Sequence, residues 1–465
     1  MQKVKFFLGL WAAKFLMLIY KIRGIEKNDR PGLLAYRFCD NFIKYISKPK
    51  LVIGVTGTNG KTTVSSLITD ILRLDGKKVS YNDWGANNLA GHTRCLLDAV
   101  TIFNKPRKDV AVIEIDEMTA PYTLPYIKPN YMVVTNLFRD SIKRNAYVSF
   151  IFDRLETAFN LVPDTVVILN ADDPISSMMK IKNKTYFYGI DKTNDVISIP
   201  KNTDFPVCPK CYEKIEYEYQ HYRHLGKVKC SNCGFKSKTA EYIGKNIDYK
   251  NMTFDVVHSK KINQYKITSP SLFNVFNTIA VITLFKVMGY DDNKIQKLSE
   301  KIKVPISREN FINENGMKFD LQVAKGQNGS SASTIFEHIN EIDENIEIIM
   351  LLTEEYCIKD KSETVTWIYE TDFSYLKKDN IKKIIVGSYL ALDYKIAMMM
   401  AGIDQRKIIC VPDEDSTLEH VTFDEFFDFV KNEDANWYIP GLKEYFEGLN
   451  QDEIYIQDNF LGKLV

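Results

Sequence analysis

Neither sign of charge dominates this chain. Its 61 Lys and Arg stand against 60 Asp and Glu, a net +1 over 465 residues, and the basic residues are spread along the sequence. The balance removes the global electrostatic argument for a nucleic-acid partner. Internal repeats and low-complexity linkers are absent, so the length divides among two or three ordinary domains. Cysteine is scarce: of eight, Cys39, Cys95, Cys357 and Cys410 are scattered singly, which argues against a disulfide framework and for a reducing cytoplasm. Also missing is an uninterrupted run of the ~20 apolar residues that a membrane span needs. The nearest stretch, "FFLGLWAAKFLMLIY" (Phe6–Tyr20), is broken by Lys14, and no small-residue cleavage site follows before "KIRGIEKNDRPG". It reads as an amphipathic helix packed on the body of the protein. A helix resting on the inner membrane face is the alternative, favoured if the substrate is lipid-linked.

What is present, 45% hydrophobic and 26% charged residues, describes a soluble globular protein. From residue 50 onward, strand-like segments ("LVIGVTG", "KKVSYND", "DVAVIEID", "NYMVVTN", "TVVILNADD") alternate with helical patterns such as Thr62–Leu74 and Tyr147–Leu161. That alternation predicts a parallel α/β sheet. Near residue 204 the texture turns Tyr-, Lys- and Cys-rich, and near 316 a second α/β series begins. The expected organisation is an N-terminal helical segment (1–48), a nucleotide-binding central domain (49–304) with a small insertion (204–238), and a smaller Rossmann-like α/β domain (305–465).

The segment "GVTGTNGKTT" joins a strand to a helix. Glycine at 57 and 60 permits positive φ and close approach, so the amides of Gly57, Thr58, Asn59, Gly60 and Lys61 can line one concavity. The helix beginning near Thr62 adds its N-terminal partial charge, Lys61 can reach β/γ oxygens, and the Thr62 hydroxyl can ligate Mg²⁺. The spacing departs from the usual G-x₄-G-K-[ST], because position 55 is Val. A nucleoside triphosphate is the expected ligand. Glu114, Asp116 and Glu117 end the strand "VAVIEIDEMT", where a carboxylate can reach the magnesium, and Asn136 ends the next strand at the same edge.

Cys208-x₂-Cys211 and Cys230-x₂-Cys233, separated by eighteen residues, have the spacing of a Cys₄ zinc ribbon. Two such pairs without a surrounding βαβ unit argue against a thioredoxin-like redox pair. Four protein ligands leave no open coordination position, so the expected role of the zinc is structural. His221 and His224, between the hairpins, read as ordinary surface residues.

"GVTGTNGKTT" followed by "GANNLAG", "VIEIDE", "TNLFRD", "LNADDP" and "NVFNTIAV" closely resembles the Mur ligase family, from about residue 30 to near the C-terminus. The resemblance implies a Mur-ligase-like central domain and ATP-dependent joining of an amine to a carboxylate of a peptidoglycan precursor. The cysteine module with "FDLQVAKG", "TVTWIYETDF" and "VGSYLALDYKIAMMMAGI" looks like the MurT-type branch, which works with a class I glutaminase, GatD. That branch implies ATP-driven phosphorylation of the α-carboxylate of D-glutamate in lipid II. Ammonia from the glutaminase then gives D-isoglutamine. By the same resemblance Lys61, Thr62 and Thr63 hold phosphates and Mg²⁺, Glu114 is a metal ligand, and Asn277 of "NVFNTIA" faces the adenine. Arg308 of "ISREN" reaches the γ-phosphate from the next domain. Asp360 completes the partner's Cys-His pair, with Glu363 second.

The chain also departs from the pattern. "YCIKDKSETVTWIYE" stands where Asp-Gly-x-Asp-x-Ser-Trp is expected, "FRDSIKRNAYVSF" replaces Arg-Tyr-Gly-Glu-Val-Asp, and "AKGQNGSSAS" replaces Ala-Lys-Asn-Pro-x-Gly. Two other readings therefore stand beside the first: a Mur-like ligase acting on another carboxylate or without a glutaminase, and a nucleotide-binding paralogue without ligase activity.

Overall fold

A computed structural model of the chain describes residues 2–25, 28–82, 86–139, 147–193, 203–267, 271–302, 311–314, 317–320, 329–340, 342–351, 365–387 and 390–411. Its internal contacts define two compact units. The first holds Met1–Arg139 and Tyr147–Val304, and the second is built mainly on Pro305–Val465.

The first unit is organised on one nine-stranded sheet. Its strands are β1 (Leu51–Thr56), β2 (Val79–Tyr81), β3 (Val110–Glu114), β4 (Tyr131–Val134), β5 (Val166–Asn170) and β6 (Thr185–Ile190). After the hairpin β7 (Glu216–Tyr222) and β8 (Leu225–Lys229), the sheet adds β9 (Tyr242–Asp248), β10 (Thr253–His258) and β11 (Lys261–Lys266). The spatial order is β11-β10-β9-β6-β5-β4-β1-β3-β2. Pairing is parallel from β2 through to β9, and β10 and β11 close one edge antiparallel. A parallel sheet covered on both faces needs strands that are apolar throughout, and these are. Val52, Ala111, Ile113 and Val134 enter the core on one face. Ile53, Val55, Val112 and Val133 enter the core on the other.

Helices cover both faces. α4 (Lys61–Leu74) and the helix Leu272–Val287 bury their apolar residues on the face that includes Ile53 and Val55. On the opposite face lie α1 (Gln2–Ile22), α2 (Arg30–Phe38), α3 (Phe42–Tyr45), α5 (Leu89–Ala99), α6 (Ala120–Ile127) and the helix Val148–Asn160. α1 is therefore part of the first unit's core. Phe6, Leu10 and Ala13 are buried with Ala35 and Phe42, and Gly9 lies so close to α2 that a Cβ there would sit 2.9 Å from the Ala35 carbonyl oxygen. Lys14 turns inward. Its ammonium donates to the carbonyls of Leu97 and Val100 at the end of α5, where carbonyls lack intrahelical partners.

In the second unit, β14 (Ile346–Leu351), β15 (Ile381–Gly387) and β16 (Ile408–Val411) form a parallel three-stranded sheet in that order. Phe336, Ile368, Phe373 and Tyr394 are buried with Ile384 and Val386 in its own core. A short antiparallel hairpin pairs β12 (Phe311–Glu314) with β13 (Met317–Asp320).

Candidate functional site

In the first unit, β1 sits between β3 and β4, while the chain leaving β1 through α4 goes to the far edge strand β2. Such a reversal of strand order opens a crevice at the carboxyl ends of the strands. The loop 57–60 lies there. Gly57 has φ 123° and Gly60 φ 85°, left-handed values that exclude most side chains. Close packing excludes them as well. A Cβ at Gly57 would lie 2.3 Å from Thr135 Oγ1, and one at Gly60 would lie 2.4 Å from Asn277 Oδ1.

Strand β4 and its extension hold the loop from one side. The Thr58 amide donates to the Asn136 carbonyl (2.8 Å) and the Asn59 amide to Asn136 Oδ1 (3.0 Å). Thr135 Oγ1 donates to the Asn59 carbonyl (2.6 Å), and the Thr58 hydroxyl bridges the Phe138 amide and carbonyl. The Gly57 amide donates to Glu117 Oε1 (3.1 Å). The amides of Gly57 through Asn59 are thus turned to protein acceptors, and the anion-facing group is narrower than the sequence suggests. It comprises the head of α4 at Lys61 and Thr62, where the helix's N-terminal partial charge is concentrated.

Lys61 is buried. Its ammonium donates to Glu117 Oε1 (2.9 Å) and to the Gly57 carbonyl. Burial favours its neutral form, but the carboxylates of Glu117, Glu114 and Asp116 outweigh burial and raise the lysine above its ordinary range. It therefore carries its charge into the site. At the next residue, Thr62 Oγ1 donates to Glu114 Oε2 (2.9 Å). Burial raises the Glu114 carboxyl above the usual glutamate range, against the opposing pull of Lys61 and Thr62. Hydroxyl and carboxylate oxygens at this separation are the hard donors that Mg²⁺ takes, and two protein ligands leave room for phosphate and water.

Two residues that sequence reasoning missed fix Glu114 from behind. Asn82, at the end of β2, accepts from the Glu114 amide (2.9 Å) and donates to its carbonyl (3.1 Å). His92 of α5 donates through Nε2 to the same carbonyl (3.0 Å), and burial pushes its imidazole down to about 4, so it stays neutral. Asn82 lies within the strand-like segment "KKVSYND", and His92 directly follows "GANNLAG". A strand-end Asn followed by a His one helical turn inside the next helix was the available signal. Glu117, visible only as one of three strand-end acids, is the direct partner of Lys61. Asn277, expected to face a base, lies against Gly60 at the phosphate loop. Arg308, Asp360 and Glu363 fall outside the described residues.

The cysteine module also reaches this edge of the sheet. The sulfurs of Cys208, Cys211, Cys230 and Cys233 all lie within 4.8 Å of one another. A tetrahedral Zn²⁺ with ~2.3 Å bonds separates its sulfurs by roughly 3.8 Å, so the four thiols fit that ion. The two knuckles repeat one geometry: the amides of Tyr212 and Gly234 donate to the Cys208 and Cys230 carbonyls, with φ 62° and 70°. From this base, β7 and β8 project a hairpin whose tip enters the protein. His221 and His224 are 1% and 0% exposed, which corrects their reading as surface residues. His224 Nε2 lies 3.4 Å from Asp173 and Nδ1 lies 3.8 Å from Asp204; its ring packs on Phe138 with 4.3 Å between centroids. His221 lies 3.9 Å from Asp172, and the Gly226 amide donates to the Asp172 carbonyl. The "LNADDP" acids therefore dock the ribbon. Burial lifts the Asp172 carboxyl to about 7.

A helix-headed loop with a charged lysine at the carboxyl edge of a parallel sheet, with Thr62 and Glu114 beside it, is the arrangement of an ATP-dependent ligase of the Mur type. The family model described as Mur ligase middle domain matches residues 55–233, and the chain belongs to the Mur ligase family. Within that family, residues 326–439 match the MurT ligase C-terminal domain. Relatives include the lipid II isoglutaminyl synthase (glutamine-hydrolyzing) subunit MurT of Staphylococcus aureus (strain COL), 28% identical over 390 residues, with 82% of this chain and 84% of the relative covered. The subunit of the same name from Streptococcus pneumoniae (strain ATCC BAA-255 / R6) is 27% identical over 422 residues, covering 90% and 91%. Among solved structures, a pseudomurein peptide ligase type C from Methanothermus fervidus superposes with a TM-score of 0.60 at 20% identity, over 92% of this chain and 81% of that one. This last likeness concerns the fold alone.

Proposed function

We propose that this chain is the synthetase subunit of a glutamine-hydrolysing lipid II isoglutaminyl synthase. It uses ATP to convert the α-carboxylate of D-glutamate in the lipid II stem peptide into an acyl phosphate. Ammonia supplied by a GatD-like class I glutaminase displaces the phosphate and leaves D-isoglutamine. The names of relatives that align along nearly their whole length support this reading.

The observation that carries it is the pairing of Lys61 with Glu117 beside Thr62 with Glu114 at the head of α4. A carboxylate is a poor electrophile, and phosphorylation supplies its leaving group. The protein's work is to neutralise and align phosphates. Lys61 brings a full charge to the β/γ oxygens, and the amides of the first turn of α4 orient them. Thr62 and Glu114 would hold Mg²⁺, which spreads charge off the transferring group. Asn82 and His92 keep Glu114 in register for that task. We assign Arg308 to the γ-phosphate and Asp360 to the glutaminase contact on the family resemblance. Zinc at the four cysteines is a structural ion in this scheme. The site of action is the inner face of the cytoplasmic membrane, where a lipid-linked acceptor resides.

The test is reconstitution with the glutaminase subunit, ATP, glutamine and lipid II, following ammonia incorporation. Lys61→Ala should abolish it. Asp360→Asn should abolish glutamine-driven synthesis while synthesis from free ammonium persists. ATP turnover with free amine and no dependence on a glutaminase would favour the other Mur-like ligase reading, for which the altered segment "YCIKDKSETVTWIYE" is the supporting observation.

A further inference from the structure

α1 is apolar on two faces and buried on only one. Phe6, Leu10 and Ala13 point into the core. Opposite them Val4, Leu8, Trp11, Phe15, Leu18 and Ile22 are exposed, with Phe15 at 65% and Ile22 at 78%. Their spacing of three and four residues makes one continuous stripe along the helix. Lys14, which breaks the apolar run in sequence, is withdrawn from the surface onto the end of α5, so the stripe itself carries no charge. The stripe is extended sideways. Trp11 Nε1 donates to the Ile102 carbonyl (3.0 Å), which holds the loop 101–108 against the helix with Ile102 and Phe103 exposed.

Charge decides what covers this face. Residues 1–25 contain no Asp or Glu. Lys3 and Lys21 flank one edge of the stripe and Lys5 and Arg23 the other, all exposed, and on the adjoining loop Lys105 is exposed while Arg107 is paired with Asp98 (2.7 Å). A second copy packed stripe to stripe would bring like charges together at the flanks, where helix pairs need opposite ones. An anionic lipid surface satisfies both elements. Apolar side chains enter the acyl boundary, lysine and arginine stems extend to phosphate level, and Trp takes its preferred interfacial position. Among the described residues no helix is long and apolar enough to cross a membrane, so α1 lies in the interface and does not span. We propose that α1, with the 101–108 loop, is a docking surface for anionic bilayers, which brings the ligase site to an acceptor held in the membrane. Its purpose rests on the ligase reading above, whereas its detection does not.

The experiment is flotation of the full chain with phosphatidylglycerol vesicles and, separately, phosphatidylcholine vesicles, without ATP or acceptor. Binding should favour phosphatidylglycerol and weaken as salt is raised. Phe15→Ser with Leu18→Ser should lower the partition more than about tenfold, with thermal midpoint and ATP affinity unchanged because both side chains are exposed. Lys5→Glu with Arg23→Glu should abolish the preference for anionic lipid while leaving the fold intact. Equal partition of wild type and the serine variant overturns the proposal. So does a stripe-dependent dimer in sedimentation without vesicle binding. Vesicle binding by a chain that fails to make isoglutamine would overturn the acceptor assignment and leave the docking surface standing.

Discussion

At Lys61 the electrostatics already have a resident anion. Glu117 accepts from both the lysine and the Gly57 amide, the groups a phosphate would otherwise engage. Nucleotide binding therefore requires Lys61 to exchange a carboxylate for a phosphoryl oxygen. Glu117→Gln keeps an acceptor for Gly57 but removes the competing charge, and it should tighten ATP binding by about three- to tenfold, read by calorimetric titration. Weaker binding would mean that Glu117 orients the lysine and does not compete with phosphate. Lys61→Ala should lower ATP turnover by about a hundredfold or more. Asp172 offers a pH test. Its folded value of about 7 lies above the ordinary 3.8, so the folded state binds the proton more tightly. The stability this group contributes is present below pH 4 and lost as pH rises towards 7. Asp172→Asn should stay protonated in effect, so the gap between variant and wild type in thermal melts should widen in the variant's favour from pH 5 to pH 8, by on the order of a few kcal/mol. Neutral His92 contributes the opposite slope at lower pH in both proteins, and the difference cancels it.

At the scale of elements, the ribbon hairpin and α1 are both held by polar groups that reach across the structure. The hairpin tip links the cysteine module to the phosphate loop through packing: His224 lies on Phe138, and Phe138 exchanges two hydrogen bonds with Thr58. Cys208→Ser should lose bound zinc, measured by a chromogenic chelator after denaturation, and lower the melting temperature. It should also weaken ATP binding, because the Phe138 support loosens. If affinity for ATP were untouched in a zinc-free protein, the two would be mechanically separate. For α1, Lys14→Met removes the ammonium that donates to the Leu97 and Val100 carbonyls and should cost about 1–3 kcal/mol, seen as a lower denaturant midpoint at unchanged slope.

For the whole molecule, two units with separate cores predict two calorimetric transitions, not one. Among the described residues, those proposed to hold ATP belong to the first unit. Mg²⁺-ATP should therefore raise that unit's transition, by about 2.7 kcal/mol at a hundred times its Kd. The match to the MurT C-terminal domain begins at residue 326, within the second unit, so the segment that marks the MurT branch belongs to a different body from the phosphate loop.

Much of this was legible in one dimension because it is locally encoded. Strand, glycine turn, Lys-Thr and helix follow within a dozen residues, and buried parallel strands announce themselves as Val- and Ile-rich runs. The Cys₄ spacing likewise needs only its two short hairpins. What depended on the tertiary structure were contacts between residues far apart along the chain. Glu117 reaches Lys61 across 56 positions and Asn82 reaches Glu114 across 32. His224 is buried against Phe138 with Asp173 and Asp204 beside it, and no periodicity in a hairpin reveals such neighbours. The same holds for Lys14. In sequence it interrupts an apolar run, and in space it turns inward and leaves an unbroken apolar face. Composition cannot tell these apart, because side-chain direction is set by what packs alongside.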